Sequence, residues 1–360
     1  MQAMLAIMGV AVHPCKAHLG LMENTTKQGG PVIVLGAGQI GTLMVDKLLA
    51  RGVRVRQVRR GGKDALGRGV SKPRPGLELV NGDLEDHDFA RRAMSGASLV
   101  YHCLNARYDQ WPAHLLPLTR GVLAGAAAAK APLVMLDCLY MYGRPDGPMR
   151  EDSPMRPCSK KGELRKQQAE QVLAAHQRGD VRVAIGRASD FFGPNVGNAL
   201  LGDRYWPLAL AGKPIEVTGD VDQPHSYSYS EDVADGLLAL GGTERSFGRV
   251  WHLPAAPALS TRQMAEKIHA ALGLPGAPRY RQLHDWMLRG LGIFVPMLRE
   301  VAEMTYQWKL PYVIDDAQIR AELGLRATPV EQQIADTIAW ARATHAPAAQ
   351  AASLTTVLRP

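Results

Sequence analysis

Short runs of β-branched and other apolar residues recur along the chain, separated by longer stretches in which apolar residues repeat at helical spacing. Runs of the first kind are typical of strands that are buried on both faces of a parallel sheet. The alternation of strand and helix predicts an α/β fold with a doubly wound parallel sheet. The predicted strands are Val32–Leu35, Val53–Val58, Leu77–Val80, Ser98–Leu104, Leu133–Leu136 and Val181–Ile185.

The first predicted strand leads directly into a glycine-rich turn. Gly36, Gly38 and Gly41 follow it at G-x-G-x-x-G spacing, and a helical pattern begins within the motif. Strand, glycine turn and helix in this order form the dinucleotide fingerprint of Rossmann-type folds, in which backbone N–H groups at the positive end of the helix bind a pyrophosphate. We therefore predict that the three glycines, with Gln39 and Ile40, contact a dinucleotide cofactor. The alternative, a tight turn between unrelated elements, leaves Gly41 unexplained.

The end of the second predicted strand is basic. Rossmann folds that prefer NAD place an acidic residue there, on the ribose 2′-hydroxyl. This chain has Arg59 and Arg60 at that site, with Lys63 close by. A guanidinium group cannot accept a hydrogen bond from a hydroxyl, but it pairs bidentately with a phosphate. The pattern predicts NADP rather than NAD, with a solvated basic loop as the alternative.

Composition and charge narrow the class of protein. The 360 residues are 46% hydrophobic and 21% charged, which is enough to bury a full core. No apolar run reaches the roughly 18–20 residues that span a bilayer, so we expect no membrane partner. Part of the formal net charge of +8 lies in a basic cluster at residues 51–74, where a cofactor phosphate is a simpler explanation than a nucleic acid.

The cysteines indicate the redox environment. Cys15, Cys103, Cys138 and Cys158 show neither C-x-x-C pairing nor zinc-site spacing. This predicts reduced thiols in a cytoplasmic protein and no metal site.

The patterning also divides the chain into regions. A Rossmann domain is expected first, with a smaller, mostly helical C-terminal lobe that would bind the substrate. Residues 346–360 are Ala-rich and lack a pattern, which is typical of a disordered tail. The predicted regions are a disordered leader at 1–29, the dinucleotide-binding domain at 31–194 completed by 223–252, the substrate lobe at 195–222 and 254–343, and the tail at 346–360.

Several motifs occur in the order typical of one enzyme family. The chain resembles the extended short-chain dehydrogenase/reductases, also called the NAD-dependent epimerase/dehydratase family, from about residue 31 to 343. The motifs that carry the resemblance are Gly36-x-Gly38-x-x-Gly41, Gly82-Asp83-Leu84, Leu136-Asp-Cys-Leu-Tyr-Met-Tyr-Gly143, Lys166-x-x-x-Glu170, Arg187-Ala-Ser-Asp-Phe-Phe-Gly-Pro194, Tyr229-Ser-Glu-Asp-Val233 and Leu323-Gly-Leu-Arg-Ala-Thr-Pro329.

The resemblance implies further cofactor contacts. In this family the loop that carries Phe192 passes under the nicotinamide, and the lysine at the position of Lys166 holds the nicotinamide ribose. For Phe192, core packing in a Gly-Pro turn is the alternative. The other predicted contacts lie just after the third and fourth strands, at Asp83, Leu84, Leu104 and Asn105.

The catalytic positions depart from the family pattern, in which a Ser or Thr acts together with a Tyr-x-x-x-Lys pair. Lys166 is in place, but the serine position holds Cys138 and the tyrosine position holds Gly162. A glycine transfers no proton, so the chain resembles the atypical members of the family with a degraded active site.

Four residues could replace the missing tyrosine. Tyr140 and Tyr142 follow the fifth strand, and residues two apart on an extended backbone share a face, so both could reach the cleft. For each, packing or substrate stacking is the alternative. Cys138 is a candidate nucleophile without an evident histidine partner, and buried thiols are usually inert. Asp137 could act as a base, although bonding to backbone amides in the turn suits it better.

Residues near the expected substrate site favour a small ligand without a nucleotide. Sugar-nucleotide enzymes of this family usually have an arginine where this chain has His225, and a neutral imidazole would bind a phosphate poorly. Tyr108, Trp111 and Tyr227 instead suggest a flat, apolar ligand, although each could belong to the core.

We therefore expect an NADP(H)-dependent oxidoreductase or epimerase-like enzyme that acts on a small carbonyl or hydroxyl compound through a non-standard proton donor. Two alternatives stay open: a dinucleotide-binding sensor or regulator without hydride transfer, and a redox-neutral isomerase or lyase. A homodimer formed through helices at 119–130 and 163–177 is plausible, as in the family, but nothing in the sequence proves it.

Overall fold

The computed structural model describes residues 29–61, 74–197, 199–291 and 296–345. The predicted leader (apart from its last residue), the tail, Cys15 and Lys63 lie outside these ranges. The strands in the described ranges are β1 (Val32–Leu35), β2 (Val55–Arg59), β3 (Leu77–Asn81), β4 (Leu99–His102), β5 (Leu133–Asp137), β6 (Val183–Arg187), β7 (Asp190–Phe192), β8 (Ile215–Thr218), β9 (Pro224–His225), β10 (Tyr227–Tyr229), β11 (Val250–His252), β12 (Leu259–Ser260) and β13 (Tyr280–Leu283).

Helices connect and cover these strands. None of the helices in the described residues is long and apolar enough to cross a membrane. The α-helices are α1 (Gln39–Ala50), α2 (His87–Met94), α3 (Trp111–Ala129), α4 (Lys160–Gln177), α5 (Trp206–Leu210), α6 (Ser230–Gly241), α7 (Thr261–Ala271), α8 (Asp285–Leu291), α9 (Pro296–Met304), α10 (Ala317–Leu323) and α11 (Val330–His345).

Seven strands form the central sheet, in the order β11-β6-β5-β4-β1-β2-β3, and all neighbours are parallel. Helices α1 and α6 bury apolar side chains on one face of this sheet. Helices α2, α3 and α4 cover the other face. The prediction of a doubly wound parallel sheet is confirmed, and the strand order reverses between β1 and β4, where open α/β sheets bind their ligands.

A third apolar cluster forms a smaller lobe beside the carboxyl ends of the strands. It joins α5, α7 and α11 to β8 and β10, with Trp206, Ile268 and Ile338 among its buried members. Helices supply most of its side chains, and β8 pairs with β13 in a separate two-stranded sheet. Residues 304–314 pack against the segment that follows β5, and Tyr312 forms an isolated bridge with His225.

Candidate functional site

The glycine turn has the backbone geometry that a bound pyrophosphate needs. Gly36 has φ +114°, a conformation that other residues rarely adopt. A Cβ at Gly41 would lie 2.4 Å from the carbonyl oxygen of Gly36, whereas one at Gly38 would meet nothing within 4 Å. The first turn of α1 has neither a side-chain cap nor an acidic residue. Its N–H groups therefore stand at an open surface beside Gly38, as anion binding requires.

Two predicted contacts in this turn differ in what they can offer. Gln39 is half-buried, but Ile40 packs its side chain into the apolar cluster beneath the sheet. Only the backbone of Ile40 is available to a cofactor, because residues on the inner face of a helix bury their side chains.

Arg59 lies at the end of β2, as predicted, but its surroundings are more specific than a solvated loop. Its guanidinium group is buried, and Nε donates a hydrogen bond to Oδ1 of Asn81 at 3.1 Å. Its Nη1 is also buried and has no hydrogen-bond partner among the described residues. A buried donor without a partner costs free energy, and a phosphate oxygen would relieve that cost. Arg60 is exposed.

The predicted contacts beyond β3 and β4 are spread over several environments. Asp83 is exposed, and its Oδ1 accepts a hydrogen bond from the backbone N–H of Glu85 at 3.0 Å. Leu84 is buried, Leu104 is half-buried and Asn105 is exposed. The structure therefore places Asp83 and Asn105 at the surface, where side chains can reach a ligand, but assigns Leu84 to the core.

His102, which the sequence did not single out, ends β4 beside the reversal of strand order. Its Nδ1 accepts a hydrogen bond from the N–H of Leu104 at 3.4 Å, so the ring proton lies on Nε2, which is buried and has no partner in the part of the chain that the structure describes. Burial, with a smaller effect of Arg165, lowers the pKa of His102 to about 3. The imidazole is therefore neutral and offers one free N–H at this position.

Phe192 is fully buried and does not fit its predicted role as a side-chain contact of the cofactor. Its ring packs 6.4 Å from that of Trp206 in the core of the smaller lobe. The aromatic side chain is drawn into that core because its burial removes a large apolar area from water. Only its backbone remains available to a ligand.

The expectation that Tyr140 and Tyr142 share a face is wrong. Residues Tyr140–Tyr142 form a 3-10 helix rather than an extended segment. Side chains two apart in such a helix point in different directions, since each residue turns the chain by about 120°. Tyr140 stacks on Trp111 with 6.1 Å between ring centroids, whereas Tyr142 packs against His252.

The hydroxyl of Tyr142 is engaged in a buried network of hydrogen bonds. Its hydroxyl accepts a hydrogen bond from Nη1 of Arg187 at 2.7 Å and lies 2.8 Å from Nε2 of His252. Nδ1 of His252 lies 3.0 Å from the carbonyl of Asp315, so Nδ1 carries the ring proton and Tyr142 donates to Nε2. Burial, with a smaller effect of Arg187, lowers the pKa of His252 to about 4. Tyr142 is therefore a structural residue and not a proton donor.

The network continues to Asp137, whose side chain has no exposed surface. Its two carboxylate oxygens accept hydrogen bonds from Nε of Arg187 at 3.1 Å and from Nη1 of Arg165 at 3.5 Å. Burial is the largest single effect and acts to lower the pKa of Arg187, but the charges and hydrogen bonds of Asp137 and Tyr142 together outweigh it and raise that pKa. Asp137 also accepts from the N–H of Cys138 at 2.8 Å. Its role is the structural one that the turn suggested.

Cys138 does not meet the conditions for a nucleophile. Burial raises the pKa of its thiol to about 12, although Arg165 acts in the opposite direction. A thiol that keeps its proton is a poor nucleophile.

Gly162 and Lys166 lie one turn apart near the beginning of α4. A Cβ at Gly162 would lie 2.5 Å from the carbonyl oxygen of Tyr140 and 3.0 Å from Cβ of Pro157. The neighbouring backbone has thus closed over the position where the family has its tyrosine. Lys166 is half-buried, and no ion pair links it to another described residue.

We expect Gly162→Tyr not to restore a family-type active site. The new Cβ would press on backbone atoms that cannot move aside cheaply, and overpacking of this kind costs about 1–3 kcal/mol. Chemical denaturation should show the loss. Gly147→Tyr is the matched control, because a Cβ there would meet nothing within 4 Å. Equal stability of the two variants would contradict the tight packing at Gly162.

The predicted substrate residues Tyr108 and Trp111 belong to an aromatic and cationic cluster. Trp111 is buried, and the guanidinium carbon of Arg165 lies 4.3 Å from its ring centroid. Tyr108 is half-buried, with Nζ of Lys161 at 4.5 Å from its ring centroid. Of the two, only Tyr108 retains enough surface to contact a ligand; Trp111 supports it from the core at 5.2 Å.

The other two predicted substrate residues are buried as well. Tyr227 packs in the smaller lobe, and its hydroxyl lies 3.3 Å from that of Thr261. His225 stacks on Trp308 and Tyr312, at 6.0 Å and 5.7 Å between ring centroids. A ligand would have to displace these rings to reach the imidazole.

Sequence reasoning missed a group of residues that complete the cleft. Tyr306 and Tyr312 pack with Tyr108 and Tyr140 in one cluster, and the buried hydroxyls of Tyr306 and Tyr312 interact with each other. Asp190 lies among these phenols and pairs with His225 at 2.9 Å. The Asp in the Arg187–Pro194 motif and the tyrosines at 306 and 312 were visible in the sequence, but their convergence was not.

An open helix N-terminus at the reversal of a parallel sheet, with a basic side chain at the end of β2, defines a dinucleotide-binding α/β fold. A model of the NAD dependent epimerase/dehydratase family matches residues 32–250, which is more than half of the chain. The protein therefore belongs to the NAD dependent epimerase/dehydratase family. The resemblance noted from the sequence is confirmed, and with it the prediction of an enzyme of this family.

Sequence relatives include two decarboxylases from Arabidopsis thaliana. UDP-glucuronic acid decarboxylase 1 is 27% identical over 231 residues, which cover 58% of this chain and 51% of the relative. UDP-glucuronic acid decarboxylase 4 is 26% identical over 247 residues, which cover 62% and 53%. The chain thus spans about half the length of the curated relatives it matches.

Solved structures share the fold over nearly their whole length. A double mutant of dTDP-glucose 4,6-dehydratase from Streptomyces venezuelae, crystallised with NAD, is 22% identical with a TM-score of 0.70, covering 87% of this chain and 97% of its own. The UDP-glucuronic acid 4-epimerase of Bacillus cereus, also in complex with NAD, is 16% identical with a TM-score of 0.69, covering 88% and 99%. At these identities the likeness concerns the fold alone.

Proposed function

We propose that this protein is an NADP(H)-dependent oxidoreductase that acts on a small carbonyl or hydroxyl compound without a nucleotide. The observation that carries the proposal is the buried, unpartnered Nη1 of Arg59 at the end of β2, beside the uncapped N-terminus of α1. The helix end supplies N–H groups to a pyrophosphate, and Arg59 supplies a charge-assisted donor to the additional phosphate of NADP.

The similar proteins are named for NAD and for sugar-nucleotide substrates, and this chain departs from them at two places. At the first, it has Arg59 where NAD-preferring folds have an acid. The second is the position where those enzymes bind a substrate phosphate. This chain has His225 there, and its imidazole is buried beneath aromatic rings.

Charges in the cleft support a neutral substrate. Lys161 is buried and forms ion pairs with Glu300 and Glu303, and Arg187 is paired with Asp137. Each of these cations is already neutralised by the chain's own carboxylates. A diphosphate or a carboxylate on the substrate would have to compete with them, whereas phenol hydroxyls suit a neutral oxygen.

When bound, the cofactor would supply or accept the hydride, and the chain's residues would position the two reactants. Lys166 is half-buried on α4. It would bond the ribose, as the lysine at this position does in the family. Tyr140 is the remaining candidate among the predicted tyrosines. Burial raises its pKa well above the usual value, so the hydroxyl keeps its proton and can donate a hydrogen bond to a substrate oxygen.

The direct test is consumption of NADPH with a panel of neutral aldehydes and ketones, comparing the wild type with Lys166→Ala. We expect the wild type to oxidise NADPH and Lys166→Ala to lose about 10²-fold in kcat/KM, because misplacing a bound reactant costs about that much. Lys160→Ala is the control, since this neighbouring lysine is exposed. If Lys166→Ala were as active as the wild type, the proposed position of the nicotinamide would be wrong.

A second candidate function is a protein that binds the dinucleotide without hydride transfer, such as a redox sensor. The close packing of backbone against Gly162 favours it, because a tyrosine side chain, the family's usual proton donor, does not fit there. The same assay decides between the two: tight NADPH binding with no consumption in the presence of any carbonyl would favour the sensor.

A further inference from the structure

Asp190, which belongs to the Arg187–Pro194 motif, and His225 form a hydrogen-bonded pair beside the phenols of the aromatic cluster. Nε2 of His225 lies 2.9 Å from Oδ2 of Asp190, and Nδ1 lies 3.2 Å from the carbonyl oxygen of Gln307. The imidazole is 2% exposed and the carboxylate 18%. The carboxylate is therefore the member of the pair that a ligand can reach.

Hydrogen-bond chemistry determines how many protons this pair carries. A backbone carbonyl only accepts hydrogen bonds, so Nδ1 of His225 must carry a proton. The contact between Nε2 and Oδ2 then needs one further proton, which lies either on the imidazole or on the carboxyl group. In both arrangements the pair has no net charge: it is either an imidazolium–carboxylate ion pair or a neutral imidazole beside a carboxylic acid.

The other polar groups around Asp190 are poorly suited to give up a proton. The phenols of Tyr108, Tyr140, Tyr227 and Tyr312 all interact with Asp190, and burial raises the pKa of each. A proton lost from any of them would leave a buried phenolate, which is a far stronger base than the carboxylate that the Asp190–His225 pair would leave. The same holds for the thiol of Cys138, which lies near three of these phenols. Lys161 is held by its two glutamates.

We propose that Asp190, oriented by His225, is the acid–base residue of this site and replaces the absent family tyrosine. The inference rests on the proposed reductase function. In carbonyl reduction the hydride and its two electrons pass from NADPH to the carbonyl carbon, and the carbonyl π bond becomes a lone pair on oxygen. The Asp190–His225 pair gives its shared proton to that oxygen, forming the alcohol. The pair is left as carboxylate and neutral imidazole and regains a proton from water.

In this scheme the phenols bind the substrate and do not transfer a proton. Tyr306 and Tyr312 have buried hydroxyls that interact with each other, and they would hold the substrate oxygens by hydrogen bonds that are not broken during the reaction. His225 is a positioning residue: its Nδ1–H anchors the ring to Gln307, and its Nε2 holds Asp190 in one orientation.

The test compares steady-state reduction of neutral aldehydes by NADPH in the wild type, Asp190→Asn, Asp190→Glu and His225→Gln. Removing a general acid typically costs 10²–10⁴-fold. We expect Asp190→Asn to lose about that factor in kcat while KM for the aldehyde and NADPH binding stay unchanged. Asp190→Glu should recover part of the rate. His225→Gln keeps a donor to Asp190 but cannot share its proton, so its kcat should fall and its pH–rate profile should change.

Asp203→Asn is the matched control, since that carboxylate is 49% exposed and its ion-pair partner is Nε2 of His345 at 3.8 Å rather than any of the phenols or His225. Thermal unfolding of each variant reports any loss of folding. If Asp190→Asn kept the wild-type kcat, the inference would be overturned while the reductase function stood. If the wild type consumed no NADPH with any aldehyde, the reductase function and the inference would both fail.

Discussion

Asp137→Asn is expected to lower the free energy of unfolding by about 3–5 kcal/mol, the usual effect of removing one partner from a buried ion pair. The carboxylate has no exposed surface and lies between the guanidinium groups of Arg165 and Arg187, which are themselves almost fully buried. The amide would leave two buried cations without a counter-charge. Because Arg187 also donates to Tyr142, we expect the loss to extend to the 3-10 turn that carries Tyr140.

Urea unfolding at neutral pH measures the effect. Asp180→Asn is the control, because Asp180 forms an exposed ion pair with Arg178 at 2.9 Å. Surface pairs contribute about 0–1 kcal/mol, so that variant should be nearly as stable as the wild type. A similar small effect for Asp137→Asn would show that Arg165 and Arg187 find other partners.

Arg59→Ala is expected to weaken NADPH binding by about 10–100-fold and NADH binding much less. A hydrogen bond to a charged group contributes about 1.5–3 kcal/mol, and the unpartnered Nη1 of Arg59 is the donor that the structure leaves free. Fluorescence titration of each nucleotide with the variant measures the change. Arg92→Ala removes an exposed arginine from α2 and is the control. Equal losses for both nucleotides would assign Arg59 to folding rather than to the phosphate.

The sequence was sufficient for the parts of this protein that local pattern determines. Buried strands read as apolar runs, and the three glycines were placed by their spacing alone. The structure explains that spacing, since Gly41 must let α1 approach Gly36 and Gly38 must leave space beside the helix end. Strand ends were less accurate: β6 begins at Val183 and extends to Arg187, because Arg187 continues the pairing with β5 opposite Asp137.

The catalytic half of the site could not be predicted in the same way. The interpretation of Tyr140 and Tyr142 assumed an extended backbone, and a 3-10 turn separates the two side chains. No local sequence pattern predicts that turn. It is stabilised by Arg187 and His252, which bond Tyr142 from distant parts of the chain.

Long-range contacts also decide which residues meet in the cleft. Lys161 looks like a solvated charge at the start of a helix, but it is buried against Glu300 and Glu303 of α9. Asp190 and His225 are 35 positions apart and form one unit. Pairings of this kind depend on how the smaller lobe folds over the sheet, and a single sequence carries no signal for them.

The account depends above all on a phosphorylated dinucleotide at the amino end of α1, and comparing NADPH with NADH in direct titrations of the wild-type protein tests this most simply. We predict that NADPH binds about 10–100-fold more tightly than NADH, because Arg59 has a buried donor free for the additional phosphate. Equal affinity for the two, or tighter binding of NADH, would contradict that assignment; no binding of either below about 1 mM, or −4 kcal/mol, would contradict the cofactor site itself.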